Sequence, residues 1–347
     1  MSGSAILSCF RSRAIHFIID WDGTITKKDT LEFLGRIASQ HREKTKSLDS
    51  STNDDPTTQM SWGAIVNAYM EEFTAHQNQY RPMKSNRKTI LEERAWLASL
   101  KNVELRSIKR VEKSRIFRGI TAADIKQEAN QAVKQGEGEL QIREGWYSLY
   151  SKILERQMNE KQREDTSGEI DQVTILSVNW SKLFINECLT AAKTPIIPST
   201  PTGFGGDLSL EHADAKVIKI YANELQGLYD PDGSSGMLIS IEDRDIRTSS
   251  DKLRRLLEMK NNHGTPESLP LIYVGDSMTD FECLLEADLG ICIRDDPCNS
   301  GQRELAETFD RNEVAVPHIE KFSKADQNRV VWARNFQEVV DFINIIS

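Results

Sequence analysis

Short apolar runs rich in β-branched residues recur along the chain and predict buried strands. Each run is nearly continuous rather than alternating, which is typical of strands buried on both faces of a parallel sheet. Amphipathic helical patterns at 180–189, 252–259 and 336–346 lie between or after these runs. The alternation predicts an α/β fold with a doubly wound parallel sheet. The predicted strands are 14–19, 173–178, 217–221, 271–274, 289–293 and 329–333.

The chain between about residues 30 and 140 has helical patterns and no strand pattern. One helix face combines residues spaced i, i+3, i+4, i+7, i+8 and i+11, namely Trp62, Ile65, Val66, Tyr69, Met70 and Phe73. Further helical patterns lie at 90–100, 105–111 and 121–133. We therefore expect an α/β core from 1–30 and 140–347, with a helical module at 31–139 inserted after the first strand. The polar stretches 40–59 and 159–172 predict exposed loops.

Composition narrows the classes of partner. The 347 residues include 53 acidic and 44 basic side chains, a formal net charge of −9, which argues against nucleic acid or an anionic membrane as the main partner. No apolar run approaches the roughly 20 residues that span a bilayer. The 5 cysteines form no CxxC pair, which fits a reducing compartment. The N-terminus lacks the order of a secretory signal, so we expect a cytoplasmic protein, with a short mitochondrial presequence as the alternative.

The most informative local pattern lies at the end of the first predicted strand. Asp20 and Asp22 are spaced i, i+2 and are followed by Gly23, Thr24 and Thr26. Carboxylates at the carboxyl end of a sheet strand face the crevice in which α/β proteins bind ligands. Such a pair suits a hard cation such as Mg²⁺, and a carboxylate can also attack phosphorus as a nucleophile. The alternative is an ordinary strand-to-turn connection that uses Asp and Gly as turn formers.

A second acidic pair follows the strand at 271–274. Gly275 permits a tight turn, and Asp276 and Asp280 are spaced i, i+4 near a helix start. Alone, these residues also fit a helix N-terminus with acids in its first turn. Together with Asp20 and Asp22, they favour one shared metal site.

A hydroxyl and a cation lie between the two acidic pairs. Ser177 ends the strand at 173–178, and Lys252 opens a helix 24 residues before Asp276. A phosphoryl group needs a hydrogen-bond donor and a fixed positive charge to hold it. Each residue alone is an ordinary strand-end serine or a solvated lysine. The order of the four motifs makes them specific.

That order resembles the haloacid dehalogenase-like (HAD) hydrolase superfamily, in its phosphoserine-phosphatase-like subgroup with a helical cap. The resemblance implies a HAD-like Rossmannoid core with a parallel sheet and an inserted α-helical cap. Three further features match that subgroup: the segment 143–145, the segment 221–225, and Asp29, nine residues after Asp20. Asp29 corresponds to an acidic residue near the substrate, although Asp29 and Glu32 also form the pattern of a capping box.

A closer resemblance is to the phosphatase domain of plant proteins that join a thiaminase-II-like domain to a thiamine monophosphate phosphatase. The similar segments are 114–120, 176–180, 275–280 and 283–290. The chain has no room for the thiaminase-like domain, so the resemblance implies a stand-alone phosphatase. Trp21 within the first motif and the polar insertion at 40–59 leave the exact substrate open.

The resemblance also implies a role for each motif residue. Asp20 is the nucleophile that forms an aspartyl-phosphate, and Asp22 is the general acid and base. Ser177, Lys252, Asn179 and Asp29 bind the phosphate or the substrate. Mg²⁺ is the cofactor, held by Asp20, Asp276 and the backbone carbonyl of Asp22, while Asp280 orients the ion's water shell and Lys252.

We therefore expect a Mg²⁺-dependent phosphatase for a small phosphorylated metabolite, such as thiamine monophosphate or a related phosphomonoester. A phosphotransferase or phosphomutase on the same site and a non-catalytic scaffold are the alternatives. Because all motif residues are present, the scaffold is disfavoured. Four cap aromatics could stack on an aromatic leaving group, although core packing is favoured for the first two: Trp62, Tyr69, Trp96 and Phe117. The glycine-rich segment 203–206 is interpreted as a loop.

Overall fold

The computed structural model describes residues 14–48, 60–134, 139–161, 170–193, 218–239, 245–261, 269–322 and 329–346. The predictions for Cys9, Val217, the loop 203–206 and part of each polar stretch, 49–59 and 162–169, lie outside these residues. The described strands are β1 (His16–Ile19), β2 (Gln172–Leu176), β3 (Ile218–Tyr221), β4 (Leu271–Gly275), β5 (Leu289–Ile293) and β6 (Val330–Ala333).

Helices connect these strands. Between β1 and β2 lie α1 (Leu31–Leu48), α2 (Trp62–Gln79), α3 (Ile90–Ser99), α4 (Lys101–Ser114), α5 (Ala122–Val133) and α6 (Trp146–Lys161). The later helices are α7 (Lys182–Lys193), α8 (Ser249–Asn261), α9 (Phe281–Glu286), α10 (Ser300–Arg311) and α11 (Phe336–Ile346). Ser61, Thr89, Thr121 and Asn299 cap the helices that follow them with side-chain hydrogen bonds.

All six strands form one parallel sheet in the order β3-β2-β1-β4-β5-β6. Every residue of β1, β4 and β5 is buried, as expected for strands with helices on both faces. The predicted α/β fold with a parallel sheet is therefore confirmed. Because β1 is central, the residues that follow it lie between those that follow β2 and β4.

Two layers of helices cover the sheet. On one face, Phe17 and Ile19 pack in a cluster with side chains of α1, α5, α6, α7 and α11. On the other face, Ile18 and Tyr273 pack with side chains of α8, α9 and α10, and also with Trp96 and Leu97 of α3. The helices between β1 and β2 therefore join both layers. No helix within the described ranges is long and apolar enough to cross a membrane.

Three sequence predictions of local structure were wrong or incomplete. Residues 40–48 continue α1, and residues 159–161 end α6, although both were predicted as loops. The segment 40–48 is rich in Arg, Glu and Lys, which favour helix even where no apolar face is present. Helices α6 and α10 were not predicted.

Candidate active site

The site lies at the carboxyl edge of the sheet, where three neighbouring strands end. Asp20 follows β1, Ser177 follows β2 and Asp276 follows β4. The backbone N–H of Asp20 donates to Val274 O at 2.9 Å, which holds the first motif beside the last. Parallel strands thus bring together motifs that are far apart in sequence.

Three carboxylates form a buried cluster at this edge. Asp20, Asp276 and Asp280 each offer an oxygen within 4.8 Å of the others. Burial and the charge of Asp280 raise the pKa of Asp20 well above its ordinary value. Burial and the same neighbour raise the pKa of Asp276 to about 8. Accumulated negative charge in this space is therefore unfavourable unless a cation offsets it.

Lys252 supplies one such cation from the first turn of α8. Its Nζ donates to Asp20 Oδ1 at 2.7 Å and to Asp280 Oδ1 at 2.8 Å, and its side chain is fully buried. Burial acts to lower the pKa of Lys252, but the two carboxylates outweigh it, so the pKa lies above its ordinary value. The ammonium group is thus fixed in its charged form beside Asp20.

Asp280 organises the loop that carries it. Its Oδ2 accepts the backbone N–H groups of Asp276 and Ser277, each at 3.1 Å. Its Oδ1 accepts the hydroxyl of Tyr273 at 2.7 Å in addition to Lys252. A Cβ at Gly275 would clash with the Asp280 carboxylate, so only glycine allows this approach.

The carboxylate of Asp22 points away from the three clustered acids. Its Oδ1 accepts the backbone N–H of Thr30 at 2.7 Å and the Thr30 hydroxyl at 2.6 Å. Its Oδ2 accepts Asn179 Nδ2 at 3.0 Å. Burial and then the charge of Asp29 raise the pKa of Asp22 to about 7, against the lowering effect of these hydrogen bonds. A carboxyl group with such a pKa is suited to both giving and taking a proton near neutral pH.

Ser177 and Asn179 form the neighbouring loop after β2, and both are fully buried. The Ser177 hydroxyl accepts the backbone N–H of Asn179 at 3.0 Å. Asn223 secures this loop, since its Nδ2 donates to the carbonyls of Val178 and Asn179, both at 3.1 Å. The same amide also donates to Ile246 O at 2.8 Å, just before α8. Asn223 thereby ties the Ser177 loop to the segment that leads to Lys252.

Asp29 is exposed at the start of α1. Its Oδ1 accepts the backbone N–H of Leu31 at 2.7 Å, so it makes a contact typical of a helix start. Its charge also reaches Asp22, whose pKa it raises. Both sequence interpretations of Asp29, as helix cap and as an acid beside the site, therefore remain.

The donor set of the cluster fits Mg²⁺. Three carboxylates face one ammonium group, which leaves an excess of negative charge in a buried space, and Mg²⁺ prefers carboxylate oxygens. Gly23 adds a second indication, because a Cβ there would clash with the Asp276 carboxylate and crowd this space. The side chain of Asp22 is hydrogen-bonded to Thr30 and Asn179 instead, so it does not belong to the carboxylate cluster.

The four aromatic side chains singled out in the sequence make packing contacts. Trp96 and Phe117 are buried. Tyr69 donates its hydroxyl to Glu104 at 2.7 Å. The ring of Trp62 lies 6.0 Å, between centroids, from both Phe117 and Trp180. Because Trp180 follows Asn179, this aromatic group adjoins the candidate site.

Sequence reasoning overlooked the roles of four residues that support the site. Tyr273 and Asn223 carry weak signals, as a polar aromatic in a buried strand and as part of a family-like segment. Arg143 also lies in a family-like segment, but no local pattern indicates its contacts with residues more than 100 positions away. Thr30 precedes a helix, and no local pattern indicates its hydrogen bonds to Asp22. Arg143 is buried and donates to the carbonyls of Gly23 and Thr24 in the first motif.

No family model matches the chain. In sequence it is 23% identical, over 278 residues, to the CTO1 family protein C17G9.12c of Schizosaccharomyces pombe, covering 80% of this chain and 81% of that protein. It is 24% identical, over 197 residues, to the mitochondrial bifunctional TH2 protein of Arabidopsis thaliana. That match covers 57% of this chain and only 25% of the longer protein.

In structure the chain is similar to a substrate-bound phosphoserine phosphatase, with a TM-score of 0.47 and 12% identity, covering 95% of this chain and 99% of the other. It is also similar to a phosphoserine phosphohydrolase-like protein from Francisella tularensis subsp. tularensis SCHU S4. There the TM-score is 0.45 and the identity 15%, with 95% and 99% of the two chains covered.

Proposed function

We propose that this chain is a HAD-type, Mg²⁺-dependent phosphatase that hydrolyses a small phosphomonoester through an aspartyl-phosphate on Asp20. One observation carries the proposal. Residues from three separate motifs, Asp20, Lys252 and the pair Asp276 and Asp280, meet in one buried cluster at the carboxyl edge of the sheet. The sequence order of these motifs resembles the HAD superfamily, and their convergence is what that resemblance requires.

Asp20 is the nucleophile in this proposal. Its carboxylate attacks phosphorus in line, and the bond from phosphorus to the leaving oxygen breaks. Lys252 keeps a fixed positive charge 2.7 Å from Asp20, where the phosphoryl oxygens gather negative charge. Ser177, from the adjacent strand end, offers a hydroxyl donor. Mg²⁺, when held by Asp20, Asp276 and the Asp22 carbonyl, supplies further charge stabilisation for the phosphoryl group.

Asp22 is the general acid and general base in this proposal. It protonates the leaving oxygen in the first step and then accepts a proton from the water that hydrolyses the aspartyl-phosphate. Thr30 and Asn179 orient its carboxylate by three hydrogen bonds. A pKa of about 7 allows Asp22 to serve in both directions.

We propose that the helices of residues 31–139 form the cap over this site. Two contacts support the assignment: Thr30, immediately before this segment, binds Asp22, and Trp62 of the segment packs against Trp180. A cavity of about 370 Å³ beside Thr30 is a candidate subsite for the leaving group. Its charged lining includes Asp29, Glu32 and Glu139 together with Lys27 and Lys28. The acids would suit a cationic leaving group such as that of thiamine monophosphate, the substrate that the sequence resemblance favours.

The test is hydrolysis of p-nitrophenyl phosphate by the purified protein, with Mg²⁺ and with a chelator. Asp20→Asn is expected to abolish activity while the circular dichroism spectrum is retained. Asp310→Asn, at an exposed position of α10, is the matched control and should keep full activity. Undiminished hydrolysis by Asp20→Asn would contradict the mechanism.

A phosphate-release screen then identifies the substrate. It should include thiamine monophosphate, phosphoserine, pyridoxal phosphate and phosphocholine. Release of phosphate from one of these far above the others supports a metabolite phosphatase. Transfer of the phosphoryl group to a second metabolite instead of water would identify a phosphotransferase on the same site.

A further inference from the structure

Arg143, which precedes α6, binds the backbone of the turn at residues 23–25, just after Asp22. Its Nε donates to Thr24 O at 2.9 Å, and its second guanidinium nitrogen donates to Gly23 O at 2.7 Å. Its backbone N–H donates to Ile25 O at 2.7 Å. One residue thus binds three successive carbonyls of the turn that carries Asp22. Its side chain is only 2% exposed.

Asp295, two residues beyond β5, braces the same guanidinium. It forms an ion pair and hydrogen bonds with Arg143. Asp295 is itself held by Gln302 of α10, whose Nε2 donates to Asp295 Oδ2 at 2.8 Å. The side-chain oxygen Oε1 of Gln302 in turn accepts the backbone N–H of Asp295 at 2.9 Å. The guanidinium therefore binds two backbone carbonyls and the Asp295 carboxylate at once, a set of contacts that the single ammonium nitrogen of lysine cannot reproduce.

The turn held by Arg143 lies directly against the acid cluster. The Thr24 hydroxyl donates to Asp276 Oδ1 at 3.1 Å. Gly23, with φ of +74°, approaches the Asp276 carboxylate so closely that a Cβ would clash with it. The position of this turn consequently sets both the orientation of Asp276 and the place of the Asp22 backbone carbonyl.

We propose that Arg143, braced by Asp295, is a positioning residue that fixes the 22–24 turn against Asp276 and so sets the affinity of the site for a divalent cation. This inference rests on the proposed function, because it concerns the same acid cluster. The hydrogen bonds and the ion pair of the Arg143 guanidinium go to Gly23, Thr24 and Asp295. Apart from its charge, Arg143 therefore acts on the cluster through the turn. Loss of a contact that supports the metal ligands without touching the ion typically lowers metal affinity about 10- to 100-fold.

The chain provides a matched control ion pair at the amino ends of the strands, away from the site. Arg156 Nε donates to Asp171 Oδ2 at 2.6 Å, and Asp171 Oδ1 accepts the backbone N–H of Ile15 at 2.8 Å. Asp171 and Ile15 precede β2 and β1, so this pair lies at the amino ends of strands whose carboxyl ends carry the site. A variant there weakens a similar ion pair without touching the 22–24 turn.

The experiment measures binding of Mg²⁺ alone by titration calorimetry, for full-length wild type, Arg143→Ala, Arg143→Lys, Asp295→Asn and Arg156→Ala. Arg143→Ala is expected to lower the Mg²⁺ association constant about tenfold or more. Arg143→Lys and Asp295→Asn should give smaller losses in the same direction, since each keeps part of the contact set. Arg156→Ala should bind Mg²⁺ within about twofold of wild type, whatever its loss of thermal stability.

The direction in which the Mg²⁺ affinity changes distinguishes a positioning role of Arg143 from an effect of its charge alone. Removal of a positive charge near the acids would by itself strengthen cation binding. Unchanged or tighter Mg²⁺ binding by Arg143→Ala therefore overturns the inference, as does an equal loss in Arg156→Ala. If Arg143→Ala does not fold, unchanged affinity in both Arg143→Lys and Asp295→Asn overturns it instead. Failure of the wild-type protein to bind Mg²⁺ would contradict the proposed function itself, which is a different result.

Discussion

The ammonium group of Lys252 lies 2.7 Å from the carboxylate of Asp20, although 232 positions separate the two residues in the chain. The same ammonium lies 2.8 Å from Asp280, in a space closed to solvent. Lys252 therefore offsets part of the negative charge of the acid cluster, and in the proposed mechanism it also stabilises the phosphoryl group on Asp20. These two roles are separable by experiment.

Replacement of Lys252 by methionine should destabilise the metal-free protein by about 3–5 kcal/mol, because buried carboxylates lose their charged partner. Urea unfolding in the presence of a chelator measures this loss. Lys260→Met is the matched control on the same helix, since Lys260 forms a half-exposed ion pair with Glu286 at 3.2 Å. That control should change the free energy of unfolding by only about 0–1 kcal/mol. Equal effects of the two variants would contradict the role assigned to Lys252.

The stability of the metal-free protein should fall as the pH rises. The pKa of Asp276 is raised from 3.8 to about 8, so its carboxyl group binds a proton more tightly in the folded than in the unfolded chain. Its contribution is complete below the unfolded pKa and is lost as the pH rises through the folded pKa. Urea midpoints across this range, with a chelator, measure the effect.

Asp276→Asn isolates this contribution, since asparagine does not titrate. The variant should show a shallower loss of stability between about pH 4 and pH 8 than the wild type. Added Mg²⁺ should flatten the wild-type dependence, because the cation offsets the charge that deprotonation creates. A variant with the same slope as the wild type would exclude Asp276 as the source.

Thr30→Val should shift the pH dependence of catalysis. The hydroxyl of Thr30 donates to Asp22 at 2.6 Å and lowers the pKa of that carboxyl group, so its removal should raise the pKa above about 7. Since the proposed mechanism requires a protonated Asp22 to assist the leaving group, the alkaline limb of kcat/KM should move to higher pH. The measurement uses an alkyl phosphate, whose leaving oxygen needs a proton. Thr190→Val, at an exposed site of α7, should leave the limb unchanged, and an unmoved limb in Thr30→Val would refute the role of the hydroxyl.

A buried ion cluster attaches α3 to α10. Glu93 pairs with Arg87 at 2.8 Å and with Arg311 at 3.1 Å, and both Arg87 and Glu93 are almost fully buried. Glu93→Gln leaves two guanidinium groups without a carboxylate and should cost about 3–5 kcal/mol in the free energy of unfolding. Glu304→Gln breaks the half-exposed pair with Lys84 and should cost at most about 1 kcal/mol. Urea unfolding measures both losses, and similar losses of unfolding free energy in the two variants would contradict a stabilising role of the buried cluster.

Much of the fold follows from local patterns. Strand β5 was predicted at its observed bounds, and β4 within one residue, because continuous apolar runs signal strands covered on both faces. The observed helix Phe336–Ile346 also matches its prediction. Helix α10 was missed because its polar face outweighs its buried Leu305 and Phe309 in the local pattern.

The site was predictable as far as its residues lie at strand ends. Asp20, Ser177 and Asp276 end adjacent parallel strands, so their proximity follows from the fold class. The contacts of Arg143 with the first motif and with Asp295 leave no local pattern, because each joins polar residues more than 100 positions apart. Thr30 was not predicted for a different reason: it stands within the pattern of a helix start, where a hydroxyl residue does not by itself indicate a bond to Asp22.

The central claim is that Asp20 carries the phosphoryl group, and trapping of the phosphoenzyme tests it most directly. Asp22→Asn should still react with p-nitrophenyl phosphate, whose leaving group needs little protonation, but should hydrolyse the intermediate slowly. After an acid quench, mass spectrometry should find one phosphoryl group, labile to hydroxylamine, on the peptide that contains Asp20. A phosphoryl group on any other residue, or full turnover by Asp20→Asn, would contradict the account.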